Sequence, residues 1–294
     1  MSIDLERAHA FMTAHARILD RRRFEATVLD SDAARLAIIG GLDAYRNADG
    51  GYGWGLEPDL RAPESQPGGA LHAFEALAYA GPHTSPAVVA LLDWLVRASL
   101  DDGGLPFALP VADPTGCAPF WVNADPAESS LQITAAVAAQ AHRVARWDEA
   151  VRKHPWLEQA TRYCIEQIRR IDEQPFAYVL SFSLQLLDVS AETNAEAGEL
   201  LTHLMQYVPA DGALAVAGGA EGETIHITSE PGLPLYELLD HEAIADELDR
   251  LEREQRADGG WPIDFTSYSE AAALEWRGYA TANTVAALRA NGRI

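Results

Sequence analysis

Within eleven residues of one stretch, "GYGWGLEPDLRAPESQPGG", the chain places Trp54, Glu57, Asp59, Arg61 and Glu64. Carboxylates close together beside aromatic side chains are the ingredients of general acid catalysis. A partly apolar surround disfavours the charged form, so such a carboxyl can donate a proton near neutral pH. Glu57 and Asp59 are the candidate donors. The competing reading pairs Arg61 with a carboxylate to order the loop, while Ser65 and Pro67 open the next helix. A second stretch, "LPFALPVADPTGCAPFWVNADPAESS", adds Trp121, Asp125 and Glu128. A Trp among Pro and Phe covers an apolar pocket, whereas Asp125 to Glu128 also has the form of a helix capping box. The third, "EGETIHITSEPG", offers His226 and Glu230 as acid–base partners. The last, "PIDFTSYSEAAALEWRGYAT", offers Asp264, Tyr268, Glu275 and Trp276, with Ser267 and Glu270 fitting a capping box.

Asp59, Glu57 and Asp264 are thus the catalytic candidates. Trp54, Arg61, Glu64, Trp121, Asp125, Glu128, His226, Glu230, Tyr268, Glu275 and Trp276 are candidates for substrate binding. The sharpest expectation is that Glu57, Asp59, Trp121 and Asp264 converge on one cavity. No Ser–His–Asp order, Gly-rich phosphate loop or metal-ligand spacing occurs. Cys117 and Cys164 lie far apart, as buried thiols of a reducing cytoplasm do. Neither a metal nor a cofactor is therefore implied.

The elements that must position these residues are helices. Apolar residues recur at three- and four-residue steps in "SDAARLAIIGGLDAYRN", "SPAVVALLDWLVRASL" and "EAIADELDRLEREQ", the mark of helices with one buried face. "PGGALHAFEALAYAG", "SSLQITAAVAAQAHRVA" and "PFAYVLSFSLQLLDV" are apolar nearly all round, as helices buried on every side are. Between the two kinds stands a recurring break: Asp49-Gly50-Gly51-Tyr52, Asp102-Gly103-Gly104-Leu105, Asp211-Gly212-Ala213-Leu214 and Asp258-Gly259-Gly260-Trp261. The intervals of 53, 109 and 47 residues leave room for one further copy near Asp172. Glycine at positive φ is expected to cap the first helix of each pair, with the aromatic or apolar residue tucked beneath the turn. "GALAVAGG" and "ETIHIT" supply one small strand hairpin at most.

The count is about twelve helices in six hairpins, alternating coat and lining. The expected fold is all-α: a single α/α toroid over residues 1–294, with an inner ring of helices inside an outer ring. Connections into the lining helices are long and those out of them short. All the long loops would then share one mouth of the ring, where binding residues gather.

Gln255, followed after three residues by Gly259-Gly260-Trp261, resembles the Gln–Trp repeat of squalene–hopene cyclases, shared more loosely with the β subunits of protein prenyltransferases. Only this final copy is close; the first has Asn47 and Tyr52 in the equivalent places. The resemblance implies an α/α barrel with a central cavity for an isoprenoid. It does not carry over the chemistry. The Asp-x-Asp-Asp acid of the cyclases is absent, and Asp30-Ser31-Asp32 reads as a helix start. The class I aspartate-rich motif and the Asp, Cys and His zinc ligands of the prenyltransferases are missing as well.

With 44 acidic against 22 basic residues the net charge is −22, which repels phosphate backbones and anionic membranes and excludes nucleic-acid binding. The start "MSIDLERAHAF" lacks the basic and apolar regions of a signal peptide, and no apolar run is long enough to span a bilayer. A cytoplasmic location follows as the expectation. The functional expectation is a terpenoid-cyclase-like protein that binds or converts an isoprenoid or other apolar small molecule. A glycan-active enzyme with paired carboxylates and a non-catalytic lipid- or protein-binding module are the alternatives.

Overall fold

The computed structural model describes residues 3–219 and 221–294. Among them the chain is mostly helical, in the order α1 (Leu5–His15), α2 (Ile18–Leu29), α3 (Asp32–Leu42), α4 (Pro67–Ala80), α5 (Ala87–Ala98), α6 (Pro119–Val122), α7 (Leu131–Ala145), α8 (Glu149–Arg152), α9 (Pro155–Ile168), α10 (Ala177–Ser190), α11 (Ala195–Leu204), α12 (Pro234–Leu238), α13 (His241–Arg253) and α14 (Glu270–Ala290). The only sheet among the described residues is an antiparallel pair, β1 (Ala213–Ala215) and β2 (Thr224–His226), with Leu214 opposite Ile225. No described helix is long and apolar enough to cross a membrane.

The helices that are apolar all round take the central places. On α4, Phe74, Ala70, Ala73 and Ala76 are all without exposure, and α7 and α10 are buried along most of their length. Packing runs in sequence from α14 to α2, α2 to α4, α4 to α7 and α7 to α10. Small residues make this close approach possible, and Ala predominates on α7. Helices with one buried face pack against members of this series: α5 on α4, α9 on α7 and α13 on α14.

Two features depart from the regular hairpin count. Helix α2 carries Asp20 and three consecutive arginines, the pattern expected of a coat, yet it packs against α1, α3, α4 and α14. Its charges are tolerated because they pair with one another. After α11, where the repeat calls for a second long helix, the chain instead forms the β1–β2 hairpin and the short α12, which rest on α10.

The repeated Asp-Gly break is one local structure used several times. Asp49, Asp102 and Asp258 each accept from the backbone N–H two residues on, at 2.9, 3.0 and 3.1 Å, and Asp211 does the same with Ala213 at 3.1 Å. Tyr52, Leu105, Leu214 and Trp261 are buried under their turns. The glycine is not a helix cap, however: α3, α5 and α13 end several residues earlier, and the break is a separate turn. At Gly259, φ is +94°, and a Cβ would collide with the Arg7 carbonyl, so this position takes no side chain.

The two ends of the chain meet at that last break. Gln255 accepts from the Asp4 N–H at 2.7 Å and donates to the Asp4 carbonyl at 2.8 Å, while holding the Gly259 carbonyl at 3.0 Å. Trp261 donates from Nε1 to the Leu251 carbonyl at 2.6 Å. The Gln and Trp of the repeat are thus both fastenings.

Candidate functional site

The first, second and last long loops are stitched together. Gln66 exchanges two hydrogen bonds with Leu109 at 3.0 and 2.8 Å, Glu64 accepts from Ala112 N–H at 3.1 Å, and the Asp59 carbonyl accepts from Ala118 N–H at 2.8 Å. The buried Asp59 carboxylate reaches the last loop. Its Oδ1 accepts from the Ser267 hydroxyl and the Tyr268 N–H, both at 3.0 Å, and its Oδ2 from Trp276 Nε1 at 2.8 Å. Arg61 makes a two-pronged pair with Glu275 at 2.6 and 3.3 Å. Arg277 turns away to Asp258, at 2.8 Å.

Glu57 and Trp121 both close over Gly68 at the start of α4. Trp121 is buried and stacked on Phe107 with 4.4 Å between ring centroids. Glu57, Asp59, Trp121, Arg61, Glu275, Trp276 and the Tyr268 backbone therefore belong to one region, whereas Asp264 is exposed on its loop. Asp125 and Glu128 are exposed too. Asp125 bonds Ala127 N–H at 2.9 Å in a turn, and α7 starts later with Ser130 as its cap. Likewise Ser269, not Ser267, caps α14. Trp54 is 59% exposed and donates to Asn47 Oδ1 at 2.8 Å.

From Glu57 a buried polar chain runs inward. His72 on α4 meets Glu57 Oε2 through Nε2 at 2.8 Å and Glu75 Oε2 through Nδ1 at 2.7 Å; Tyr279 on α14 donates to Glu75 Oε1 at 2.7 Å. Burial alone would push the imidazolium down, but the charges and hydrogen bonds of Glu75 and Glu57 outweigh it and raise His72 to about 9. Burial pulls Glu75 the other way, yet His72 and Arg23 hold its carboxyl down at about 2. Burial, followed by the Glu75 charge, raises the Tyr279 hydroxyl well above its ordinary range.

Next to this chain lies a second one on α2. Asp20, with no exposure, takes Arg17 Nε at 2.7 Å and Arg23 Nη1 at 3.2 Å. Arg17 also donates to the Leu56 carbonyl, beside Glu57. Arg23 donates to Asn283 Oδ1 at 2.6 Å and its guanidinium lies over the Tyr79 and Tyr279 rings, 4.4 and 5.0 Å from their centroids. With His72 protonated, three positive groups (Arg17, Arg23, His72) face three negative ones (Asp20, Glu57, Glu75), and the network balances. Balance is what makes burial of so many charges tolerable.

The network ends at a cavity of about 610 Å³. Arg23, Glu75, Tyr79 and Tyr279 form its floor, with Asn283 holding Arg23 and Tyr79 together. Its walls come from the C-terminal halves of α4, α7 and α14, from Gln185 on α10, and from α13 and the segment after β2. Ala78, Trp147, Leu239, Ile244, Leu251 and Ala287 supply an apolar side. Two of the residues singled out in the sequence line this cavity: His226, whose Nδ1 is 3.1 Å from Glu247 Oε2, and Glu230, paired with Arg143. They come from the segment that replaces a second long helix after α11.

The floor residues escaped the sequence reading, which followed the loops. Their signal was in the helices: His72 and Glu75 are ionisable residues one turn apart in a helix that is otherwise apolar, and Asp20 and Arg23 share the same spacing on α2. An ionisable residue on a fully buried helix must be paired or functional.

The chain matches no protein-family model and no curated protein. Among solved structures it is similar to the crystal structure of a protein from Actinoplanes, with a TM-score of 0.55 and 15% identity over 93% of this chain and 89% of that one. At that identity the similarity extends to the overall fold alone.

Proposed function

We propose that this chain is a small-molecule-binding protein built on a closed double ring of helices, as in the terpenoid cyclases, and that its ligand occupies the 610 Å³ cavity. Support for closure comes from the packing series α14–α2–α4–α7–α10, from α1 lying against both α2 and α14, and from the clasp between Gln255 and Asp4. On the remaining side, α10 carries β2, and His226 of β2 reaches Glu247 of α13.

The observation that carries the functional reading is the union of an apolar wall with a floor of buried, preorganised polar groups. The volume is that of a site for a drug-sized ligand, and a buried ion-pair network adds little net stability over apolar packing of the same shape. An isoprenoid or other largely apolar molecule fits the wall. Binding is favoured over carbocation cyclisation. The tyrosine faces that would stabilise a cation are covered by Arg23, whose charge opposes another.

Native mass spectrometry of the gently purified protein tests this. A retained small molecule, lost from Ala287→Phe, is the expected result. A protein that retains nothing and gains no thermal stability from isoprenoid alcohols, sterols or oligosaccharides would refute it. Selective retention of a sugar would put the glycan-active reading first.

A further inference from the structure

Three hydrogen-bond donors on residues that line the cavity have no acceptor. Arg23 Nε, Arg143 Nε and Trp147 Nε1 are buried and bond to nothing among the described residues. A guanidinium and an indole N–H can only donate, so no other orientation turns these atoms into acceptors. Each has given up water without a replacement, a cost that an acceptor on a bound molecule recovers. One unmatched buried acceptor, Asn291 Oδ1, stands against them on the wall. The surplus is of donors.

Two of the three sit together. Arg143 lies in the last turn of α7, and Trp147 in the turn that continues it, with Trp147 N–H donating to the Val144 carbonyl at 3.2 Å. Residues four apart on helical turns are neighbours. The carbonyls that end α7 are taken: those of Arg143, Val144 and Ala145 accept from Arg146 N–H, Asp148 N–H and Arg152 Nη1 at 3.3, 3.0 and 2.8 Å. At the end of α14 the Ala287 and Leu288 carbonyls accept from Asn291 and Arg293 N–H at 3.1 and 2.9 Å. Glu230 engages Arg143 through Nη1, and its carboxylate is half exposed, so water weakens its hold. On the floor, Arg23 shares the Asp20 carboxylate with Arg17.

Charge decides which acceptor fits. Hydrogen bonds from a guanidinium strengthen when the acceptor is ionised, and a carboxylate matches the planar fork of arginine. The lining acids Glu75, Glu230 and Glu247 already have cationic partners in His72, Arg143 and Arg250. A single carboxylate therefore meets Arg143 and Arg23 beside neutralised neighbours. A phosphate group brings a second negative charge among the same acids. The net charge of −22 opposes any anion at long range, but charges beyond about 10 Å are screened at 0.1 M salt. We infer that the cavity takes a singly charged amphipath, a carboxylate on an apolar body, with Arg143 and Trp147 donating to its head group. The inference rests on the cavity reading above and names the head group of its ligand.

The test uses three probes of one chain length, decanoate, decan-1-ol and decyl phosphate, titrated into the full chain at pH 7 by calorimetry. Decanoate is expected to bind at least about tenfold more tightly than either of the others, and Ala287→Phe to abolish its binding. Trp147→Phe deletes the indole N–H, and Arg143→Lys keeps the charge but deletes the Nε–H. Each is expected to cut the ratio of decanoate to decan-1-ol affinity about tenfold, the loss of one charge-assisted hydrogen bond. A role in packing alone would weaken both probes together and leave the ratio unchanged. Decan-1-ol binding as tightly as decanoate overturns the carboxylate inference and leaves the cavity reading intact. Decyl phosphate binding more tightly than decanoate overturns the single charge. An unchanged ratio in both variants removes the role given to Arg143 and Trp147. Binding that survives Ala287→Phe, or no binding of any probe, overturns the cavity reading and the inference with it. Should a variant fail to fold, comparison of the three probes on the native chain still decides the question.

Discussion

His72 and Glu75, one turn apart on α4, are joined at 2.7 Å between Nδ1 and Oε2 inside a helix whose other residues are nearly all apolar. The pair is continued on one side by Glu57 and on the other by Tyr279, so it connects the long loops to the floor of the cavity. A charged His there depends on its two carboxylates, and this dependence has a measurable sign.

The folded-state pKa of His72 is raised to about 9 from its ordinary 6.5. Its contribution to stability is therefore fully present below pH 6.5 and lost as pH rises through 9. At 1.36 kcal/mol per unit the amount is roughly 3 kcal/mol. Urea denaturation between pH 6 and 10 is expected to show this alkaline loss in the native chain and a flatter profile in His72→Gln. Parallel profiles would mean that the imidazole is not charged in the folded state.

Asp20 holds two buried arginines. Asp20→Asn removes the charge that faces Arg17 and Arg23 and is expected to cost about 3–5 kcal/mol, the range for a buried ion pair broken on one side. The lysine-free surface pair Arg169–Glu196 is the comparison: Glu196→Gln is expected to change stability by less than about 1 kcal/mol.

Asp59 accepts from three donors of the last loop and of α14. An amide at this position presents a donor to at least one other donor. Asp59→Asn is expected to destabilise by about 1–3 kcal/mol and to increase proteolysis within residues 262–269. An unchanged melting temperature together with lost ligand conversion would instead favour Asp59 as a proton donor.

Gly259 stands at φ +94° against the Arg7 carbonyl. Gly259→Ala is expected to cost at least about 1–3 kcal/mol through backbone strain and to loosen α1. Gly198 on α11 has open space around it, so Gly198→Ala is expected to gain about 0.5–1 kcal/mol in a differential thermal scan. Equal effects of the two would contradict a close approach at the last break.

Much of the helical organisation was legible because burial leaves a periodic trace: the all-apolar runs became α4, α7 and α10, and the one-faced runs became α3, α5 and α13. Helix α2 was illegible by the same rule. Its charges are paired internally, and pairing between residues three apart looks the same in sequence whether a helix faces water or the core. The loop candidates pointed to a region where Glu57, Asp59 and Trp121 do lie together, since the broken Asp-Gly turns fix where each loop begins. The cavity was not visible from the loops because its floor comes from three helices, α2, α4 and α14, far apart in sequence.

The central claim is that the ligand lies at the ends of α4, α7 and α14 and not beneath the long loops. The direct measurement is the amount of small molecule retained, by native mass spectrometry, in Ala287→Phe against Trp54→Ala/Tyr268→Ala. The first fills the cavity and the second strips the exposed aromatics from the loop region. Loss of the retained molecule from Ala287→Phe alone, with both variants folded, is the predicted result. Loss from the loop variant with full retention by Ala287→Phe would contradict it.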